Sequence, residues 1–358
     1  MKRTLSLALS LLLLLSLLCA CGEHDNLPAN GITVTDCVGR TVTVPADPQS
    51  ICALSPFSGP MITLLGYGDR ITTTCNNAAR SLLLAEICPQ IKNAVVVKNS
   101  GSVNGEEVLA KGTDLMFADM GVYENEAERA KLDSLGVPYV VVDFETIDEQ
   151  FRAVRVLGDA LQKREKAEQY LDWFQSAFDR VDAAVADVEA PPRLYHSVNE
   201  AARTDYQGSY CAQWIAHTKA VNVSLESGTL NMDGSKAYTT LEQIYAWDPE
   251  LIVCNEAQVD DYILTDEKWE GLTAVQQERV YQIPIGITRM GHPTSLETPL
   301  ALLWLTKLLY PDTFDLDFDQ ELQDFYQTFF GYTLSDDWIA AIKDGSEMRT
   351  PKTQEKSE

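Results

Sequence analysis

Arg289, Met290 and His292 fall within four consecutive positions of TRMGHPTS, residues 288–295. A guanidinium grips a carboxylate or another oxygen anion through two parallel hydrogen bonds. Imidazole nitrogen, thioether sulfur and tyrosine phenol are all axial ligands for haem iron. Tyr123, Tyr206 and Tyr210 offer the last of these groups elsewhere in the chain. Each type also has a structural use: methionine fills gaps in cores, and a loop histidine can simply face solvent. His196, in an apolar run, and His217, in a helical one, are expected to be structural. The sequence holds four histidines and no CxxC, which argues against a structural zinc site. It also lacks GxSxG, HExxH and GxGxxG, the commonest supports for an enzyme.

These residues need elements to position them. GITVTDCVGRTVTVPADP (31–48) alternates apolar and polar residues about Gly39-Arg40, which predicts a small hairpin. ICALSP, AVVVKN, LMFAD and VPYVVVD are short apolar strands separated by helical stretches, and RLYHSVN, ELIVCN and VYQIP repeat the pattern later. Such alternation predicts parallel sheets covered by helices. One phrase occurs twice: SVNGEEVLAKGTDL (102–115) and YTTLEQIYAWDPEL (238–251). Glu106 and Glu242 hold matching places in it, each followed eight positions later by a second acid before an apolar run. A repeat at that separation predicts two similar lobes. Between them, Leu171, Phe174, Phe178, Val181, Val185 and Val188 recur three and four apart, so one helix face is apolar. A helix of about 23 residues spans roughly 35 Å. Open α/β sheets hold ligands beyond the carboxyl ends of their strands. That places Ser55–Phe57, Asn99, Ser100, Met120 and Tyr123 on one side of a cleft. Tyr206–Tyr210, Asn255, Glu256 and the 288–295 loop lie on the other.

The ends and the charge narrow the class further. Lys2 and Arg3 precede an almost uncharged run from Leu5 to Leu18, and then comes Leu18-Cys19-Ala20-Cys21-Gly22. This predicts an export signal that ends before Cys21, and the stretch resembles a bacterial lipobox, which would make Cys21 the lipidated first residue. Losing Lys2 and Arg3 takes the formal charge from −25 to −27. Such acidity argues against nucleic acid, which needs a basic stripe. Export permits disulfides. Cys75 and Cys88 flank a short segment and are the first candidates for a bridge, whereas Cys52 and Cys254 sit in apolar runs as small buried hydrophobes.

The ordered set VTDCVGRTVTVP, ICALSPF, VNGEEVLAKGTDL, LGVPYVVVD, YTTLEQIYAWDPELIV, WEGLTAVQQERVYQIP and LLWLTKLLYPDTF resembles the substrate-binding lipoproteins of bacterial ABC importers for iron chelates, haem and cobalamin. The resemblance covers about residues 31–340. It implies an α/β fold of two Rossmann-like lobes with parallel-rich sheets joined by a single long α-helix. The expected division is a signal peptide (1–20), a lipidated tether (21–30), an N-terminal lobe (31–160), an interlobe helix (161–190), a C-terminal lobe (191–345) and a flexible tail (346–358).

The function it implies is a membrane-anchored, extracytoplasmic monomer that captures an iron complex, ferric siderophore or haem, and delivers it to an ABC permease with its ATPase. Cobalamin or another metal complex is the alternative within that class, and an exported α/β-hydrolase-like enzyme is the alternative outside it. No catalytic cofactor is expected. Expected ligand contacts are Phe57, Met120, Tyr123, Tyr206, Tyr210, Asn255, Arg289, Met290 and His292, with His292 and Tyr123 as metal ligands. Glu106 and Glu242 match the family's permease-docking glutamates. Phe57 and Met61 occupy a place where the family often has a polar Thr-Glu pair. That substitution, with few basic residues placed in the cleft, favours a planar or apolar ligand over a small hydrated oxyanion.

Overall fold

The structure, a computed structural model, describes residues 31–99, 101–226 and 230–350. The export signal, the tether with Cys21, and Ser100 lie outside the described residues. The first hairpin forms as its alternation predicts, with β1 (Gly31–Thr35) antiparallel to β2 (Thr41–Pro45). Asp36 closes the turn: it accepts the Arg40 amide at 2.9 Å and a two-pronged contact from the Arg40 guanidinium.

Two separate sheets follow. The first contains β3 (Ile51–Ala53), β4 (Ile71–Cys75), β5 (Val95–Asn99), β6 (Ser102–Val103), β7 (Leu115–Ala118) and β8 (Tyr139–Val141) in the order β6-β5-β4-β3-β7-β8. All its pairings are parallel except β5 with β6. The later strands are β9 (Arg193–Ser197), β10 (Arg203–Thr204), β11 (Val221–Asn222), β12 (Asn231–Asp233), β13 (Lys236–Tyr238), β14 (Leu251–Cys254) and β15 (Val280–Gln282), and four of them, β9, β11, β14 and β15, make the second, all-parallel sheet. Its order is β11-β9-β14-β15, and β10, β13 and β12 form a small antiparallel sheet beside it. The fold is thus two-lobed α/β, with parallel and antiparallel pairing. β4 was not anticipated, because ITTTC is three-fifths threonine and carries little apolar signal.

Successive side chains of a strand point to opposite faces, and this splits the core. Ile51, Ala53, Leu115, Phe117 and Val140 face one cluster, while Cys52, Leu54, Met116, Ala118 and Val141 face another. In the second lobe Leu194, Leu251 and Val253 join that same first cluster, whereas Tyr195, Ile252 and Cys254 face a third. One continuous core therefore passes between the lobes, and each lobe adds a private core on its far side.

The repeated phrase has a structural cause in both lobes. Asn104 and Thr240 are N-caps of helices Gly105–Ala110 and Leu241–Trp247, each side chain accepting the amide three residues on. The later acid ties down the neighbouring strand. Asp114 accepts the Gln49 and Ser50 amides at 2.8 and 3.1 Å, and Glu250 accepts the Arg193 amide at 3.3 Å.

The connection between the sheets differs from a single rod. Helix Ile147–Ala160 opens with a Thr146/Glu149 capping box, and helix Arg164–Ala184 follows it with 21 residues. The turn between them places Gln162 at φ 53°. Leu171, Phe174, Phe178, Val181 and Val185 are buried as one face, while Val188 lies beyond the helix and is partly exposed.

Two further expectations are corrected. Cys75 and Cys88 are free thiols; Cys75 ends β4, and Cys88 packs where a Cβ on Gly68 would sit 2.9 Å from its sulfur. The tail expected to be flexible from residue 346 is folded through Thr350, and its Met348 is buried. Residues 351–358 lie outside the described residues. No helix among the described residues is long and apolar enough to cross a membrane.

Candidate functional site

The strand-end loops of both sheets converge on a cavity of about 500 Å³. Pro56 and Pro60 enter it after β3, Arg80 after β4, Asn199 and Arg203 after β9, Glu256 after β14, and Arg289 and His292 after β15. Two of the arginines arise from one motif used twice. Asn76-Asn77-Ala78-Ala79-Arg80 and Asn199-Glu200-Ala201-Ala202-Arg203 both read N-x-A-A-R, one on each lobe, and both final guanidiniums line the cavity. Asn199 is left-handed at φ 67°, a conformation Asn tolerates. Its amide donates to the buried Asn255 Oδ1 at 2.8 Å.

The 285–295 loop is held from below by one buried carboxylate. Glu297 accepts the Ile287 amide at 3.0 Å, the Thr288 amide at 2.7 Å, the Thr288 hydroxyl at 2.6 Å and the Tyr326 hydroxyl. Gly286 is required beside it, since a Cβ there would lie 2.1 Å from Glu297 Oε1. Gly291, at φ 74°, would drive a Cβ to 2.6 Å from the Trp214 ring, and its carbonyl accepts the Trp214 indole N–H at 2.9 Å. These anchors fix where Arg289 and His292 point.

The cavity is strongly basic in an acidic protein. Arg289 donates to Glu256 and to the Asn199 side chain. Among the described residues, Arg80, Arg203 and Arg349 form no ion pair with a carboxylate, and Arg203 Nε is buried without a partner. Burial lowers Arg289, against the pull of Glu256. Arg349 is brought down to about 10 by burial and by the nearby Arg289 and Arg80. His292 is held well below the ordinary imidazole range by burial and then by Arg289, Arg203 and Arg349.

That depression has a testable sign. An anion bound there would offset the same guanidiniums, so the pKa of His292 would rise on binding and the site would take up a proton. Affinity therefore increases as pH falls between the free and bound values. Calorimetry in buffers of different ionisation enthalpy should register this uptake with wild type and lose it in His292→Gln.

The residues expected in the cleft are dispersed. Arg289 and His292 line the main cavity. Tyr206 and Tyr210 line an adjoining cavity of about 200 Å³, to which Arg203 and His292 also contribute. The Tyr210 hydroxyl is already bonded to Gln150 at 2.5 Å and Thr298 at 2.8 Å. Phe57, Met61 and Met290 are core residues, and Phe57 packs edge-on to Phe144 at 4.9 Å. The greasy wall expected of Phe57 and Met61 is absent from the cavity lining, because both side chains turn inward. Met120 borders a separate crevice near Cys37. Tyr123 lies under the guanidiniums of Arg40 and Arg129, away from His292. Glu106 and Glu242 are exposed at the second position after their N-caps. Arg80, Arg203 and Arg349 were not anticipated, and they reverse the expected shortage of positive charge.

The family model for periplasmic binding proteins matches residues 51–285. The chain belongs to this family. The molybdate-binding protein MolA of Haemophilus influenzae is 22% identical over 323 residues, covering 83% of this chain and 90% of that protein. MolA's molybdate-bound structure superposes with a TM-score of 0.74, at 21% identity over 85% of this chain and 99% of that one. A periplasmic solute-binding protein from Veillonella parvula superposes at 0.75, with 26% identity, covering 88% and 97% of the two chains. This periplasmic binding protein is accordingly a non-catalytic, extracytoplasmic receptor for a small ligand, working with an ABC permease and its ATPase.

Proposed function

We propose that this binding protein captures a small oxygen-rich anion of a metal, with a molybdate-type oxyanion as the first reading. The observation that carries it is the convergence of four arginines on one cleft, only one of them ion-paired among the described residues. Desolvated like charges are costly unless an opposite charge meets them, and guanidiniums meet oxygen anions in bidentate pairs. The likeness to MolA supports the same class. A second reading is a larger anionic iron chelate or haem. The adjoining cavity beside Tyr206 favours it, because Arg203 and His292 border both spaces. Calorimetry of the mature chain with molybdate, tungstate, sulfate, ferric citrate and haem separates these. Tight binding of molybdate and tungstate supports the first, and binding of ferric citrate or haem alone supports the second. Binding of none refutes both.

In this proposal Cys21 carries the lipid anchor, and the lobes are Rossmann-like units spaced by the successive helices Ile147–Ala160 and Arg164–Ala184. The shared core between them favours small closing motions. Glu106 and Glu242 dock the permease, being exposed at matching places on the two lobes. Charge pairs of this kind set register and on-rate more than affinity. Glu106→Ala/Glu242→Ala is expected to lower uptake in cells at least tenfold while ligand affinity of the purified protein stays within twofold. Equal losses in both measurements would remove the docking role.

A further inference from the structure

The last described residues cross from one lobe to the other at the mouth of the cavity. Helix Asp336–Asp344 belongs with the second lobe, where the Ile342 carbonyl accepts the Ile285 amide at 3.0 Å. Gly345 then turns the chain at φ 75°. Beyond it, Met348 is buried and Arg349 pairs with Ser81 in an antiparallel bridge. The Leu82 amide donates to the Met348 carbonyl at 3.1 Å, and the Thr350 amide donates to the Arg80 carbonyl at 3.0 Å. Arg80 Nε donates to the Thr350 carbonyl at 2.7 Å. The side chain of Arg349 enters the cavity, with one N–H on the Asn77 carbonyl at 2.9 Å. Beneath the bridge, Ser81 Oγ donates to the Ile287 carbonyl at 2.8 Å, joining the lobes at the same place.

We infer that residues 346–350 are a ligand-coupled strap: this segment ties the second lobe to Arg80–Leu82 of the first and inserts Arg349 as part of the anion grip. This rests on the anion-binding reading above. Arg349 and Arg80 repel one another in the free cleft while the backbone bridge holds them side by side. An anion between them removes the repulsion, so strap and ligand stabilise each other, as linkage requires. A strap of five residues with few backbone bonds sits at the low-stability end of the structure, where local opening is read by amide exchange.

Three forms of the chain test this: Arg349→Gln in the full chain, a chain ending at Gly345, and a chain ending at Thr350. Molybdate affinity is expected to fall at least tenfold in the first two and to stay within twofold in the third. In the full chain, molybdate should slow exchange of the Leu82 and Thr350 amides, and Arg349→Gln should abolish that slowing. If the chain ending at Gly345 does not fold, Arg349→Gln still decides the matter. A full chain that binds molybdate while Arg349→Gln binds equally well overturns the strap. So does unchanged exchange at Leu82, or an equal loss in the chain ending at Thr350. A full chain that binds none of the oxyanions overturns the anion reading itself, and the coupling with it.

Discussion

Replacing Arg203 and Arg289 together by glutamine is expected to weaken molybdate binding at least 100-fold without lowering the stability of the ligand-free protein. A hydrogen bond to a charged group contributes about 1.5–3 kcal/mol, so two lost grips amount to at least about 3 kcal/mol, and each 1.4 kcal/mol is about tenfold. The two residues share one ligand, so strict additivity is not expected. Loss of Arg289 also leaves Glu256 facing the anion, which weakens binding further. The free protein has the opposite interest. Its cleft concentrates four guanidiniums, of which only Arg289 is ion-paired among the described residues, so neutralising two relieves repulsion. Glu256, with its side chain 43% exposed, is rehydrated at small cost. Calorimetry and urea unfolding on the same preparation measure both signs. Parallel loss of affinity and stability would reveal a structural role for the pair, and retained affinity would remove the arginine cleft from ligand capture.

What the sequence made legible was whatever repeats locally. The unbroken apolar runs ICAL and LMFA announce strands buried on both faces, and those residues do divide between two cores. The echo about Glu106 and Glu242 announces two lobes because each copy must cap a helix and then tie down the neighbouring strand of its sheet. The charge of the cleft is different in kind. Its four guanidiniums come from four separated segments, and each looks like an ordinary surface arginine until the loops meet. One signal was present: N-x-A-A-R occurs after a strand in each lobe. It is short, and β4, which delivers the first copy, is weakly apolar. Arg349 was hidden by composition, since EMRTPKTQEKSE has the polarity of a loose tail, and only the burial of Met348 and its bridge partner show otherwise. Met290 misled for the converse reason. A methionine between an arginine and a glycine suits a ligand loop, yet its side chain is wholly buried.

Glu297→Ala is expected to cost about 4 kcal/mol or more in urea unfolding, because two buried amides and two hydroxyls lose their acceptor at about 1–3 kcal/mol each. Domains are stable by only about 5–15 kcal/mol, so this one carboxylate decides whether the site loop persists. Its pH signature is separable from that loss. Burial holds the folded carboxyl above the ordinary range, against the pull of its four donors. A raised folded pKa means that the folded chain binds the extra proton, so this contribution is complete below the unfolded value of about 4.3. It is lost as pH rises through the folded value. The difference in unfolding free energy between wild type and Glu297→Ala should therefore shrink as pH rises across that window. A constant difference would mean that Glu297 titrates alike in both states. The same substitution should also abolish molybdate binding at temperatures where the protein remains folded. Ile287 and Thr288 would lose the contact that fixes their backbone, and Arg289 follows directly after them in the chain. A Glu297→Ala protein that is destabilised yet binds normally would show that the loop is positioned by Trp214 and Gly291 alone, and that the buried acid serves the core rather than the cleft.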